Sequence, residues 1–122
     1  MNQPMKELNP LEREAFLRNC LQELLRGETS EGKILTRLRK KILGMNQSDY
    51  AVLVGLSRRT LSDIENDTGD QSLSVINAAF KPFGLRLGLV PTHQHLLVDV
   101  VKNMPDTHGS RKIAGFKRTQ TL

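Results

Sequence analysis

The chain has 122 residues, a formal net charge of +5 and a sequence pI of about 9.7. A single cysteine excludes an internal disulfide framework, and no apolar run approaches the length that a membrane span needs. The length suits one compact domain with extensions, the excess of basic residues favours a polyanionic partner, and the cytoplasm is the expected compartment.

The first predicted element is an amphipathic helix that follows a loose arm, both within residues 1–29. Asn9 and Pro10 are typical of a helix start, and Gly27 of a helix end. The apolar residues between them follow helical spacing and are Leu17, Cys20, Leu21, Leu24 and Leu25. An amphipathic helix needs a packing surface, so this stripe belongs either to the core of the next domain or to a partner's groove.

A basic helix is predicted next, beginning at Thr29 or Ser30 and ending at Gly44. Residues 30–45 contain five Lys or Arg and one Glu. The apolar stripe of this helix consists of Ile34, Leu35, Leu38 and Ile42. The Arg-Lys-Lys run at 39–41 lies largely off that stripe, so these side chains form either a solvated face or contacts to phosphate.

Two short helical patterns then meet at Gly55, a residue that allows the positive φ of a tight turn. Asn46 can begin the first helix and Ser57 the second. The residues predicted to face inward are Tyr50, Ala51, Leu53 and Val54 in the first helix and Leu61 and Ile64 in the second. Two short helices joined in this way are typical of a helix-turn-helix, which presents its second helix to the DNA major groove.

Two arginines open the second of these helices within an acidic segment. Residues 46–71 contain five Asp or Glu, and their basic residues are Arg58 and Arg59. Arginine makes bidentate contacts to guanine, each worth about 1–3 kcal/mol of discrimination. We therefore predict that this pair contacts bases or phosphates rather than solvent alone. The rest of the predicted outward face is Ser57, Thr60, Ser62 and Asp63.

A helix from Ser72 to Gly84 and a short strand at 85–90 are predicted to follow. The core candidates of the helix are Leu73, Val75, Ile76, Ala79, Phe80 and Phe83. In the strand, apolar residues alternate at Leu85, Leu87 and Leu89. A lone strand leaves its backbone unpaired, so we predict that these residues form an intermolecular ribbon with a second copy of the chain.

The C-terminal part is less regular in pattern. Residues 92–104 fit either a helix or a strand, and residues 105–122 are interpreted as a flexible basic tail that either stays free or adds contacts to DNA. His93 and His95 lack neighbouring Cys or acidic ligands and are interpreted as surface residues rather than a metal site. No catalytic constellation or cofactor motif is present, so the protein is predicted not to be an enzyme.

Residues 38–87 resemble the lambda-repressor/Cro (XRE) helix-turn-helix family. The positions that carry the resemblance include Leu38-Arg39, Met45-Asn46-Gln47, Ala51, Gly55-Leu56-Ser57-Arg58, Leu61-Ser62, Ile64-Glu65, Ser72-Leu73 and Phe83-Gly84. The resemblance implies an all-α, lambda-repressor-like bundle over residues 30–91, here with an extra N-terminal helix and a C-terminal dimerisation strand. It also implies that Gln47 contacts the sugar-phosphate backbone of DNA. The predicted DNA-binding residues are Asn46, Gln47, Ser57, Arg58, Arg59, Thr60 and Ser62.

The ending GLRLGLVP at 84–91 resembles the HipB-type antitoxin subgroup. That resemblance implies an autoregulating antitoxin whose partner is a HipA-like kinase toxin. The sequence thus predicts a homodimeric repressor of double-stranded DNA with a palindromic operator. The alternatives are a stand-alone or phage-type regulator without a toxin, and an interaction module whose main act is to neutralise a partner.

Overall fold

The computed structural model describes residues 7–105, and in this part of the chain it contains six α-helices and no β-strand. The helices are α1 (Pro10–Leu25), α2 (Glu31–Leu38), α3 (Gln47–Val54), α4 (Arg58–Glu65), α5 (Leu73–Phe80) and α6 (Gln94–Lys102). A π-helical turn, Arg39–Leu43, follows α2, and a 3₁₀ turn, Lys81–Phe83, follows α5. The predicted all-α class is confirmed for these residues. The chain divides after Leu89 into two units, which are described separately.

Helix starts are set by short polar side chains. Each of α1 to α5 begins after a residue whose side chain accepts a hydrogen bond from a backbone N–H of the first turn, namely Asn9, Ser30, Asn46, Ser57 and Ser72. At Asn9 the cap is reciprocal, because the Glu12 side chain accepts from the Asn9 N–H at 3.0 Å. Of the two candidates for the start of α2, Ser30 is therefore the cap.

The core of the first unit is built from all five of its helices. Its buried apolar residues are Cys20, Ile34, Leu35, Leu38, Tyr50, Ala51, Leu61, Ile64, Ala79, Phe80 and Phe83. Helix α1 belongs to this core through Cys20, with Phe16, Leu17 and Leu24 partly buried against it. Burial raises the pKa of the Cys20 thiol, as expected for a small core residue.

An ion pair and a hydrogen bond connect these helices further. Glu23 of α1 pairs with Arg37 of α2 at 3.0 Å. The Tyr50 hydroxyl donates to the Ala79 carbonyl at 2.6 Å, and the Tyr50 ring stacks on Phe83 with centroids 6.0 Å apart. Tyr50 thus links α3 to α5, and its burial raises the pKa of the phenol.

Two residues predicted to be buried are exposed. Leu53 is 56% exposed because α3 turns the side containing Tyr50 and Ala51 to the core, and Leu53 lies well off that side. Leu73 is 61% exposed because it is the first residue of α5, whose buried residues, Ala79 and Phe80, lie in the last turn. Helical spacing alone overestimated how far the core extends along these two short helices.

Helix α2 approaches the end of α4 so closely that only glycine fits. A Cβ on Gly32 would lie 2.5 Å from the Ile64 carbonyl oxygen and 2.6 Å from that of Glu65. The Asp67 carboxylate accepts from the Gly32 N–H at 2.9 Å and from the Ser30 hydroxyl at 2.6 Å. The carboxylate therefore ties the segment after α4 to the start of α2.

In the second unit, the described residues form one helix. The choice between helix and strand for 92–104 is settled by α6, which begins after His93. Residues 85–90 form no strand within the single chain, and because the predicted ribbon needs a second copy, it stays a prediction. The tail beyond Pro105 and the first six residues of the predicted arm lie outside the described residues.

Candidate nucleic-acid interface

The turn between α3 and α4 has the predicted geometry. Gly55 ends α3 with φ +74°, and the Leu56 N–H donates to the Ala51 carbonyl at 2.9 Å. Ala51 is buried on the same side of α3 as Tyr50. A small residue at this position and a glycine in the turn allow two short helices to follow each other closely.

Helix α4 has one buried face and one open face. Leu61 and Ile64 are buried, as predicted from their spacing. Arg58 and Arg59 are exposed at the start of the helix, and Ser62 is half-buried one turn further on. The helix therefore leaves two guanidinium groups free to meet a polyanion, which is the arrangement that the sequence predicts for a recognition helix.

The start of α4 is held by its own cap. The Ser57 hydroxyl accepts from the Thr60 N–H at 3.0 Å and donates to the Thr60 hydroxyl at 2.9 Å. Ser57 is exposed and Thr60 half-buried. Both predicted contact residues thus have a structural role at the tip, and their contact to DNA stays a prediction.

A buried ion pair fixes the other end of α4. The Glu65 carboxylate receives two hydrogen bonds from the Arg39 guanidinium, at 2.7 and 2.8 Å, and the two residues are 7% and 5% exposed. Arg39 also donates to the Met45 carbonyl at 2.8 Å. The prediction that Arg39 lies on a solvated or phosphate-binding face is therefore wrong, because its charge is used to neutralise a buried carboxylate.

Two further donors complete the surroundings of Glu65. Thr36 and Gln47 each donate to the carboxylate oxygen Oε1 at 3.0 Å. Burial alone would raise the pKa of Glu65, but the hydrogen bonds from Arg39, Gln47 and Thr36 outweigh it and hold the pKa below its ordinary value. The carboxylate thus joins α2, the beginning of α3 and the end of α4.

Sequence reasoning did not identify Glu65 as the centre of this network, although a signal was present. Glu65 follows Leu61 by four residues and Ile64 by one, which places it on the inward face of α4. A charged residue on a buried face requires a partner. The partner could not be found from spacing, because Arg39 is 26 residues away in the chain.

Three of the seven predicted DNA-binding residues line one shallow cleft, namely Asn46, Gln47 and Arg58. Its polar lining includes Lys40, Asn46, Gln47 and Arg58, which come from the turn after α2, the beginning of α3 and the beginning of α4. Asn46 caps α3 by accepting from the Asp49 N–H at 2.8 Å. The structure thus brings Lys40 and Arg58 together beside the start of α3, whereas Arg59 is exposed outside this cleft.

Other kinds of site find little support among residues 7–105. That part of the chain contains no group of three or more His, Cys, Asp or Glu side chains placed to hold a metal ion. The His93 and His95 rings lie 5.8 Å apart. Within the same range, no helix combines the length and apolar character needed to cross a membrane.

The comparisons with known proteins agree with this geometry. Residues 35–90 match the family model described as helix-turn-helix, which is of the XRE type. No curated protein and no solved structure matches the chain. The matched segment runs from the second half of α2 past the end of α5. Domains of this family are typical of sequence-specific DNA-binding transcriptional regulators. Residues 35–90 are therefore similar to helix-turn-helix domains, and they contain the α3–α4 pair with its turn at Gly55.

Proposed function

We propose that the protein is a transcriptional repressor that binds a palindromic operator as a homodimer. The observation that carries this proposal is the pair of exposed arginines at the start of α4, a helix whose other face is fixed by Leu61, Ile64 and Glu65. A rigid helix with a free cationic tip can place its side chains against base edges without losing its own packing.

The proposed DNA interface combines two kinds of contact, one to base edges and one to phosphates. Arg59, with Arg58 and Ser62, would read base edges in the major groove. Lys40, Asn46 and Gln47 lie beside Arg58 at the cleft, where the free backbone N–H groups at the start of α3 would meet a phosphate. Phosphate contacts would fix the register of the protein on DNA, and base contacts would select the sequence.

A two-fold dimer would double this surface. Leu87 and Leu89 are exposed in the segment predicted to form the ribbon, and Leu85 is partly buried against the core. Pairing the same strand from two chains would remove apolar surface from water and place two copies of α4 about a two-fold axis. The operator would then have half-sites about 34–36 Å apart, or a multiple of this distance.

The test is binding to the DNA upstream of the protein's own gene. The protected sequence is mapped first, and affinity is then compared between that duplex and a scrambled one. Arg58→Ala and Arg59→Ala should abolish the discrimination between the duplexes, and native binding should weaken steeply with salt. Arg18→Ala removes the same charge from an exposed position on α1 and is the matched control. Unchanged discrimination in both α4 variants would refute the assignment.

The biological purpose that we propose is autoregulation by the antitoxin of a toxin–antitoxin pair. Its support is the resemblance of GLRLGLVP at 84–91 to HipB-type antitoxins, for which a HipA-like kinase toxin would be the partner. Co-expression with the neighbouring open reading frame should yield a stable complex that co-purifies. If no complex forms while operator binding persists, the alternative of a stand-alone or phage-type regulator holds.

A further inference from the structure

The side-chain amide of Gln47 lies between the buried carboxylate of Glu65 and the cleft at the start of α3. Its Nε2 donates to Oε1 of Glu65 at 3.0 Å, and Gln47 also lines the cleft together with Lys40 and Arg58. Gln47 is half-buried, whereas Glu65 is 7% exposed and does not line the cleft. The amide is therefore a link through which the buried carboxylate can act on a ligand in the cleft.

The carboxylate decides which end of the amide faces inward. A side-chain amide has a donating NH2 end and an accepting carbonyl end, which exchange places by rotation about the last side-chain torsion. The hydrogen bonds from Arg39, Gln47 and Thr36 hold the pKa of Glu65 below its ordinary value, so its carboxylate is ionised at neutral pH. An ionised carboxylate accepts hydrogen bonds and donates none, so it selects the NH2 end of Gln47.

The same NH2 group keeps a second N–H for a ligand. An amide nitrogen carries two hydrogens, and the bond to Glu65 uses one of them. Among the described residues, the other hydrogen has no acceptor. Because the bond to Glu65 fixes the amide, this second N–H does not exchange places with the carbonyl oxygen. A fixed donor beside Lys40 and Arg58 suits a ligand that only accepts hydrogen bonds, and a DNA phosphate is such a ligand.

The negative charge of Glu65 is balanced inside the protein. Arg39 donates to both carboxylate oxygens, at 2.7 and 2.8 Å, and both side chains are buried. Together with the bonds from Thr36 and Gln47, these make four hydrogen bonds to a group with about four lone-pair sites. The carboxylate therefore has no capacity left for a ligand of its own, and its effect on the cleft passes through the amide of Gln47.

We propose that Glu65 is a positioning residue for DNA binding, which holds the Gln47 amide so that its second N–H donates to a phosphate of the DNA backbone. This inference rests on the proposed DNA-binding function and assigns to the buried network a part in DNA affinity as well as in stability. A preset donor binds without the loss of side-chain freedom that a mobile glutamine would incur. Because phosphate contacts carry no sequence information, the effect is the same on the operator and on a scrambled duplex.

The sign of one substitution separates positioning from charge. Glu65→Gln removes a negative charge near the DNA surface, and charge alone would make DNA binding stronger. Positioning predicts weaker binding, because a neutral amide no longer selects the NH2 end of Gln47. We expect a loss of about tenfold on both duplexes, which is the value of one hydrogen bond to a charged group. Asp49→Asn is the matched control: it removes the same charge from an exposed position in the first turn of α3 and should bind at least as tightly as the native protein.

A second control separates positioning from stability. Thr36→Val removes a bond of 3.0 Å to the same oxygen, Oε1, and leaves the bond from Gln47 in place. It should lower the urea midpoint and leave the DNA affinity unchanged. Binding is measured at a temperature at which circular dichroism shows each variant to be folded. A loss of DNA affinity in Thr36→Val as large as that in Glu65→Gln would refute the positioning role.

The dependence of Glu65 on Gln47 is tested by combining substitutions. Gln47→Met keeps the length of the side chain, removes the NH2 group and should weaken DNA binding by about tenfold. Adding Glu65→Gln to it should cause no further loss, because the carboxylate acts through the amide. The slope of log affinity against log salt should stay at the native value, since a neutral donor releases no counterion. A smaller slope in Glu65→Gln would mean that cationic contacts are lost, and it would contradict positioning through Gln47.

A further variant leaves Glu65 intact and decides the question if Glu65→Gln does not fold. Gln47→Asn keeps an amide at the first position of α3, but its side chain is one methylene shorter, so the 3.0 Å bond to Glu65 is lost. It should bind DNA as weakly as Gln47→Met. Native affinity in Gln47→Asn would show that the link to Glu65 is not needed.

The outcomes separate this inference from the proposal on which it rests. If the native protein binds DNA and folded Glu65→Gln binds as tightly or more tightly, the positioning role is refuted and the DNA-binding function stands. If the native protein binds neither the operator nor the scrambled duplex, the proposed function itself fails, and with it the positioning role.

Discussion

Removing the carboxylate of Glu65 should destabilise the domain far more than removing a surface charge. In Glu65→Leu, the Arg39 guanidinium keeps its bond to the Met45 carbonyl but loses two bonds of 2.7 and 2.8 Å in a site where it is 5% exposed. Breaking a buried pair by removing one partner costs about 3–5 kcal/mol. Since small domains are stable by about 5–15 kcal/mol, this substitution should remove a large fraction of the free energy of unfolding.

The assay is urea unfolding followed by circular dichroism. Glu65→Leu should lower the urea midpoint strongly, and so should Arg39→Met. The double variant should lose less free energy of unfolding than the two single variants lose together, because no unpaired charge then remains in the core. The coupling energy from this cycle measures how much the two side chains depend on each other.

A surface pair in the same chain supplies the control. Arg26 and Glu28 also lie 2.8 Å apart, but both side chains are about half exposed. Glu28→Leu should leave the urea midpoint nearly unchanged, because solvent screens such a pair. Unfolding of Glu65→Leu at the same urea concentration as the native protein would show that the buried pair does not secure α4.

Three further changes test the packing around the site. Gly32→Ala should lower the free energy of unfolding in urea by about 1–3 kcal/mol, because the new methyl group meets backbone oxygens at the end of α4. Gly88→Ala is the control: its methyl group would meet open space, so the free energy of unfolding should not change. Tyr50→Phe should cost about 1 kcal/mol by removing the 2.6 Å bond to the Ala79 carbonyl; an unchanged midpoint would contradict that role. The lowered pKa of Glu65 means that its stabilising effect is complete above the unfolded-state pKa of about 4.3 and is lost as the pH falls through the lower folded-state pKa. Acid titration should therefore show a loss of stability below about pH 4 that is absent in Glu65→Gln.

The sequence was sufficient for the parts of the fold that depend on near neighbours. Cap residues such as Asn46 and Ser57 predicted helix starts correctly, because the cap bond joins residues three apart. Gly55 predicted the turn for the same local reason. The resemblance to the XRE family then located the candidate interface, and the family match covers the same segment.

What the sequence could not show depends on distance in space. Arg39 looked like part of a basic run, and only its approach to Glu65 reveals that it is buried. Which residues of a short helix are buried also depends on the helices that pack against it. The prediction that Leu53 and Leu73 belong to the core is wrong for this reason. The sequence alone does not decide between a helix and a strand at 92–104, because valine-rich segments suit both.

The two faces of α4 have a consequence for how the DNA preference of the proposed repressor can change. Leu61, Ile64 and Glu65 make the contacts that hold the helix in place, whereas Arg59 is exposed and Ser62 is half-buried. A substitution on one face therefore need not disturb the other. Under the proposed function, new operators could be acquired by exchanging a few outward residues while the domain keeps its stability, so lineages of this protein would diverge in DNA preference faster than in fold.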